Sequence, residues 1–243
     1  MWEAPMPDLD FGVVDAEVLP FAVGPTILFK LHIQNAVADE QIHSIMLRAQ
    51  LRIEPTRRHY DPETEARLLE LFGAPHQWGE TLRSLLWTHA TTIVPRFSGS
   101  IIAELPIVCT YDFEVAAAKY FYALEDGVVP LLFLFSGTVF YTPAAVPLPD
   151  SPLTRGESGS ARRAHGAGGL QIAQIPWEKE APFRLPVRLW KEMMERYFPN
   201  SAWLRVRKDV FDRLYAYKAR HALPTWEDAL DHLLQGREAE LER

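Results

Sequence analysis

The chain has 243 residues, 48% of them hydrophobic and 23% charged, with a formal net charge of −7. That length and balance provide for a full buried core and exclude extensive disorder, and the acidic excess runs against a basic nucleic-acid-binding face. The single cysteine, Cys109, excludes an intramolecular disulfide framework and any multi-thiolate metal site built by this chain alone.

The N-terminal "MWEAPMPDLDFG" has neither a basic region nor an apolar stretch of the secretory kind, so a cytoplasmic location is expected. At 25–35, "PTILFKLHIQN" places Ile27, Phe29, Leu31 and Ile33 on one side and Lys30, His32 and Gln34 on the other. That period of two defines a half-buried strand. "SIMLRAQLRIEP" (44–55) repeats it with Ile45, Leu47, Ala49, Leu51 and Ile53 facing inward, and the polar link between the two predicts an antiparallel hairpin. The period changes at "YDPETEARLLELFGAP" (60–75), where Asp61 can cap, Pro62 takes the first helical position, and Gly73 with Pro75 ends a short helix. "QWGETLRSLLWTHATTIVPRF" (77–97) reads as a helical turn running into a strand from about Thr88. Gly99 in "RFSGS" then predicts a second hairpin, into "SIIAELPIVCTYDFEV".

Strands continue at "PLLFLFSGTVFYTP" (130–143) and "LQIAQIPWEKEAPFRLP" (170–186), with "FSGT" marking a bulge or a close backbone approach. The longest nearly apolar run, 128–141, is too short for a membrane-spanning helix and is interrupted by Pro130, Ser136, Gly137 and Thr138, so no membrane insertion is expected. The stretch at about 144–168 is rich in Pro, Gly, Ser and Ala, and is expected to be a flexible loop. After Pro186 the period is helical. Pro199 and Pro224 divide it into three helices, and Thr225 with Asp228 forms a capping-box-like start. The expected fold is mainly β: an antiparallel β-sandwich with short inserted helices over 1–186, and a helical section over 187–243 packed on it, α+β overall.

Candidate chemistry gathers first in "VCTYDFEVAAAKYFYAL" (108–124). As a strand, its first part puts Cys109 on the apolar side between Ile107 and Tyr111, where a thiol is structural rather than nucleophilic. Asp112 and Glu114 share the other face. Their spacing suits paired carboxylates for acid–base work, although solvent-facing acids on a strand are commoner than catalytic dyads. With His59 or His89 they define a hydrolase or isomerase alternative. The eight histidines are scattered without metal-ligand spacing, so no metal or cofactor is expected.

"RIEPTRRHYDPE" (52–63) concentrates Arg52, Arg57, Arg58, His59 and Tyr60 just before a helix cap, where an anion or a partner carboxylate could dock. In the C-terminal helices, Trp203, Arg205, Arg207 and Trp226 define a candidate partner-binding face, against the plainer reading of a solvated amphipathic surface. A third possibility is a ligand-binding sandwich with an aromatic-lined groove, for which Tyr111, Tyr120 and Tyr122 are the residues to test. The tryptophans, including Trp78, Trp87, Trp177 and Trp190, read as core or interface anchors.

The segments "PDLDFGVVDAE", "LRIEPTRRHYD", "LLWTH", "VCTYDFEVAAAKYF", "VPLLFLFSGTVFY", "IPWEKEAPFRLP" and "FPNSAWLRVRKDVFDRLYAYKARHALPTWEDAL" span nearly the whole chain. They resemble the bacterial family catalogued as domain of unknown function 6084. The stretch at about 144–168 departs from that pattern by its length. Genes for such proteins often lie near those of nickel–iron uptake hydrogenases. The resemblance therefore implies an accessory or assembly role with a hydrogenase subunit or maturation factor as partner, and it brings no catalytic residues with it. The leading expectation is a non-enzymatic accessory protein that binds another protein.

Overall fold

The computed structural model describes residues 7–37, 40–112, 115–143, 169–201 and 204–241. The expected loop at 144–168 lies outside the described residues. The chain divides into two compact units, Met1–Ala202 and Trp203–Arg243.

Alternating apolar residues build the first unit as two antiparallel sheets. Strands β1 (Leu9–Val18), β2 (Thr26–Asn35) and β6 (Ser100–Val108) form one sheet in the order β1-β2-β6. Strands β3 (Gln41–Ile53), β4 (Leu85–Val94), β7 (Val128–Thr142) and β8 (Gln171–Gln174) form the other, in the order β4-β3-β7-β8. The short β5 (Phe97–Ser98) adds to β3, and β9 (Glu180–Pro186) adds to β7. This is the expected mainly antiparallel, sandwich-like arrangement with short helices.

The inward residues read from periodicity are those the two sheets enclose. Ile27, Phe29, Leu31 and Ile33 of β2 are fully buried, as are Ala49, Leu51 and Ile53 of β3. Phe29 lies at the centre, edge-on to Phe133 at 5.1 Å and to Phe183 at 5.7 Å. Edge-on ring pairs place positive ring edges against negative faces and fix the packing beyond what burial alone dictates.

Both expected hairpins are corrected. β2 pairs with β1 and β6, and β3 pairs with β4, β5 and β7, so the link at 36–40 crosses from one sheet to the other. The turn at Gly99 does the same between β5 and β6, its φ of +71° being accessible to glycine at no steric cost. Two half-buried strands look alike in sequence whether they lie side by side or face each other across a core, which is why alternation alone could not separate the two cases. "FSGT" is a close approach. A Cβ on Gly137 would lie 2.1 Å from the Met46 carbonyl oxygen, and the pairing of β3 with β7 runs through Gly137 without a register shift.

Five α-helices lie among the described residues of the first unit, four in its connections and one after β9. Asp61 caps α1 (Pro62–Arg67), its Oδ1 accepting from the Thr64 N–H at 2.9 Å, and the chain runs on through α2 (Leu69–Phe72) and α3 (Trp78–Thr81). Helix α4 (Ala116–Ala123) buries Tyr120 and Phe121, and α5 (Val187–Tyr197) buries Val187, Trp190, Met193 and Met194. The two helices meet where Trp190 stacks on Phe121, with ring centroids 5.3 Å apart. Helix α5 packs on β1 and β9 and so belongs to the first unit, although it opens the section expected to be helical from 187. No helix among the described residues is long and apolar enough to cross a membrane.

The second unit is a pair of helices, α6 (Lys208–Arg220) and α7 (Trp226–Leu241). The expected box at its second helix is present: the Asp228 N–H donates to Thr225 Oγ1 at 3.0 Å, and the Thr225 N–H donates to Asp228 Oδ2 at 3.2 Å.

Candidate functional site

The residues of the arginine-rich loop do not converge. Arg58 turns back onto its own fold, donating from Nη1 to the Val128 carbonyl and from Nη2 to the Asp126 carbonyl, both at 2.8 Å. Tyr60 donates to the Pro55 carbonyl at 2.8 Å and shares a 2.7 Å hydroxyl contact with Tyr120. Burial, first, and then the neighbouring Tyr120 push the Tyr60 phenol well above its ordinary range. Arg52 is 3.8 Å from Glu54. Arg57 and His59 are left exposed, ahead of a helix of only six residues.

The carboxylate alternative fares similarly. Asp112 is half-buried, its N–H held by Thr110 Oγ1 at 3.1 Å, and Glu114 lies outside the described residues. His89 stands on the outer face of β4, where it lines a hollow with Arg48, Gln50, Trp177 and Glu178 rather than meeting Asp112. Cys109 is 5% exposed, and burial pushes its thiol up to about 12, so it has no thiolate character at neutral pH. Among the described residues no group of three or more His, Cys, Asp or Glu side chains could hold a metal ion.

A groove of about 790 Å3 lies beside α4 and α5, within the size range of ligand sites. Helical spacing explains it. On α4, Tyr120 and Phe121 point into the core while the next residue, Tyr122, is turned out and is 57% exposed. On α5, Trp190 and Met194 lie four apart on the buried side, and Lys191 and Glu195 lie four apart on the shoulder. Tyr111, in the segment after β6, completes the wall. Its ring is stacked 5.3 Å from Phe198 and tilted toward Trp190 at 6.0 Å.

Charges fix the rim. Glu125 accepts from Arg67 and, at 3.3 Å, from Lys191, and these two cations, Arg67 first, hold its carboxyl below the ordinary range. Arg67 also pairs with Glu63 at 2.7 Å. The groove is further lined by Glu192 and Glu195, and neither is in an ion pair among the described residues. Burial, then the Tyr122 hydroxyl and the Glu195 carboxylate, raise the Tyr111 phenol, which brings these three groups into one electrostatic neighbourhood. Of the three tyrosines singled out from the sequence, Tyr111 and Tyr122 line the groove, whereas Tyr120 is fully buried against Tyr60. The remaining lining residues carry no chemical motif in the sequence. The legible signal was the amphipathic spacing of α5.

The C-terminal candidates lie in the second unit. Trp203 is outside the described residues, and Arg205 and Arg207 are exposed, with Arg207 bonded to Asp209 at 3.0 Å. Trp226 packs on Phe211 at 5.2 Å and on Tyr215 at 6.3 Å, with the Lys218 ammonium 5.7 Å from its ring centre. Phe211 and Tyr215 on α6, and Trp226, Leu230 and Leu234 on α7, form two exposed stripes of period four. Among the described residues of 204–236 only Ala229 is buried.

A sandwich-like β domain with a grooved flank, carried in one chain with a two-helix unit that bears exposed apolar stripes, describes the molecule as a class. The chain belongs to a family of unknown function, DUF6084, whose model matches residues 6–148 and 150–242. No curated protein and no solved structure matches.

Proposed function

We propose that this chain is a non-enzymatic accessory protein that holds another protein through its C-terminal helices. The observation that carries the proposal is the pair of apolar stripes on α6 and α7, set against a unit in which Ala229 is the only buried described residue up to 236. A helical pair of roughly 40 residues has too little interior to be stable by itself and gains most by laying its apolar faces on another surface. Helix-in-groove recognition uses the same i, i+4 spacing of large anchors. Aromatic anchors such as Trp226 and Tyr215 are the residue types that dominate interface energetics.

The gene neighbourhood implied by the family resemblance makes a subunit or maturation factor of a nickel–iron uptake hydrogenase the first partner to seek. The test is to tag the chain, express it in its native host under hydrogen-oxidising growth, and identify what co-purifies. The same is then done with a Tyr215→Ser/Leu234→Ser variant, whose two changes are at exposed positions. The expected result is one stoichiometric partner recovered with the parent chain and reduced at least tenfold with the variant, while the first unit melts unchanged. Equal recovery by both, or a partner-free parent chain, overturns the proposal.

A further inference from the structure

Every described residue that lines the groove beside α4 and α5 lies in the first unit. Its chemistry is selective in sign. The two cations on its rim, Arg67 and Lys191, are engaged by Glu125, and Arg67 is shared with Glu63 as well. Glu192 and Glu195 are left with carboxylates unmatched by any described cation, so the rim carries an acidic excess. The wall is aromatic: Tyr111, Tyr122 and Trp190. The negative face of an aromatic ring attracts cations and repels anions, and it favours weakly hydrated ones that can shed water cheaply.

We propose that this groove binds a weakly hydrated organic cation, a guanidinium or alkylated ammonium group, held between the tyrosines and the Glu195 carboxylate. An anionic ligand would have to displace Glu125 from two cations and lie beside two further carboxylates. A compact ammonium ion would be held too strongly by water to gain from the rings. The raised phenol of Tyr111 agrees with the sign, because Glu195 already disfavours further negative charge at that point. The cation could be presented on a peptide, as arginine or methylated lysine, or be a free small molecule, and the two sources share this chemistry.

The experiment is a calorimetric titration of the full chain with four probes: acetyl-arginine amide, acetyl-trimethyllysine amide, agmatine and choline. The neutral isostere of choline, 3,3-dimethylbutanol, is the control. At least one cation is expected to bind, at least about tenfold more tightly than the isostere, with affinity falling as salt rises. Tyr122→Ala and Glu195→Gln, both at exposed positions that leave the fold intact, are each expected to weaken binding about five- to thirtyfold. Lys191→Met is expected to tighten it by freeing Glu125. Tighter binding of the peptide amides identifies a protein segment as the source, and tighter binding of choline or agmatine identifies a free small molecule. The proposal is overturned if none of the four cations binds, if the isostere binds as well as choline, or if both weakening variants bind like the parent chain.

Discussion

Replacing Arg58 by methionine separates the two roles an arginine in this loop could have. The guanidinium bonds to the Asp126 and Val128 carbonyls tie the loop to the start of β7, and Gly127, at φ +78°, lies so close that a Cβ there would meet Arg58 Nη1 at 3.2 Å. Hydrogen bonds from a charged donor are worth about 1.5–3 kcal/mol each, less where water can replace them, as it can at this partly exposed site. The contact with the Tyr60 ring, at 5.9 Å, adds about 0.5–1 kcal/mol. Against these stands Nε, which is buried without a partner and whose removal relieves about 1–2 kcal/mol. The net cost of Arg58→Met is about 2 kcal/mol, or a fall in Tm of about 4–8 °C for a unit of this size. Arg57→Met, at an exposed position, is expected to stay within about 0.5 kcal/mol of the parent chain. Urea unfolding followed by tryptophan fluorescence, with calorimetry for Tm, measures both. Equal effects of the two substitutions would refute the assignment of Arg58 to the fold.

Three further outcomes follow from closely packed groups. Gly137→Ala is expected to cost on the order of 3–5 kcal/mol, because a Cβ there meets a backbone oxygen that cannot move without breaking the β3–β7 pairing; a loss below 1 kcal/mol in urea unfolding would contradict it. Cys109 is expected to resist iodoacetamide at pH 8 in the native protein and to react fully in denaturant, as read by mass spectrometry. Glu40, enclosed at the arch after β2 with Asn35 Nδ2 at 2.8 Å, has its carboxyl raised above 4.5 chiefly by burial. Its ionisation therefore destabilises the fold as pH rises through 4.5 and beyond, so Glu40→Gln should stabilise at pH 7 and become neutral below pH 4.5, and a pH-independent effect in chemical denaturation would reject this.

Much of the fold was legible because burial on one face imposes alternation. The inward sets of β2 and β3, the Asp61 cap and the Thr225–Asp228 box are local and are present as read. What a one-dimensional pattern lacks is the identity of the strand across the core, and so two arches between sheets resembled two hairpins. The site was less legible for the same reason. Arg58 sits beside Arg57 and His59 in sequence, but its acceptors at 126 and 128 lie about 70 residues away, so its engagement with them depends on tertiary structure. The groove draws its wall from Tyr111, Tyr122 and Trp190, and its rim from Arg67 and Glu125 as well as α5. Two of those tyrosines could be singled out because they stand in one short aromatic run. Trp190 could be recognised only as an anchor, since its partner ring, Phe121, comes from a distant helix.

The direction of the perturbed ionisations bears on binding against proton-transfer chemistry. A general acid or base works best with its pKa near the working pH, and sites that need one use burial and charge to bring it there. In this chain the phenols of half-buried Tyr60 and buried Tyr120 and the Cys109 thiol are pushed up, away from neutrality, while Glu125 at the groove is pushed down. Glu40 is the described carboxylate that moves toward neutral pH, and at 1% exposure it is shut away from any substrate. At the groove, then, the shifts keep charges fixed: Glu125 stays ionised between its two cations and Tyr111 stays protonated beside Glu195. A groove that holds Glu125 ionised and Tyr111 protonated is suited to recognising a ligand of fixed charge, which is the property the cation titration measures.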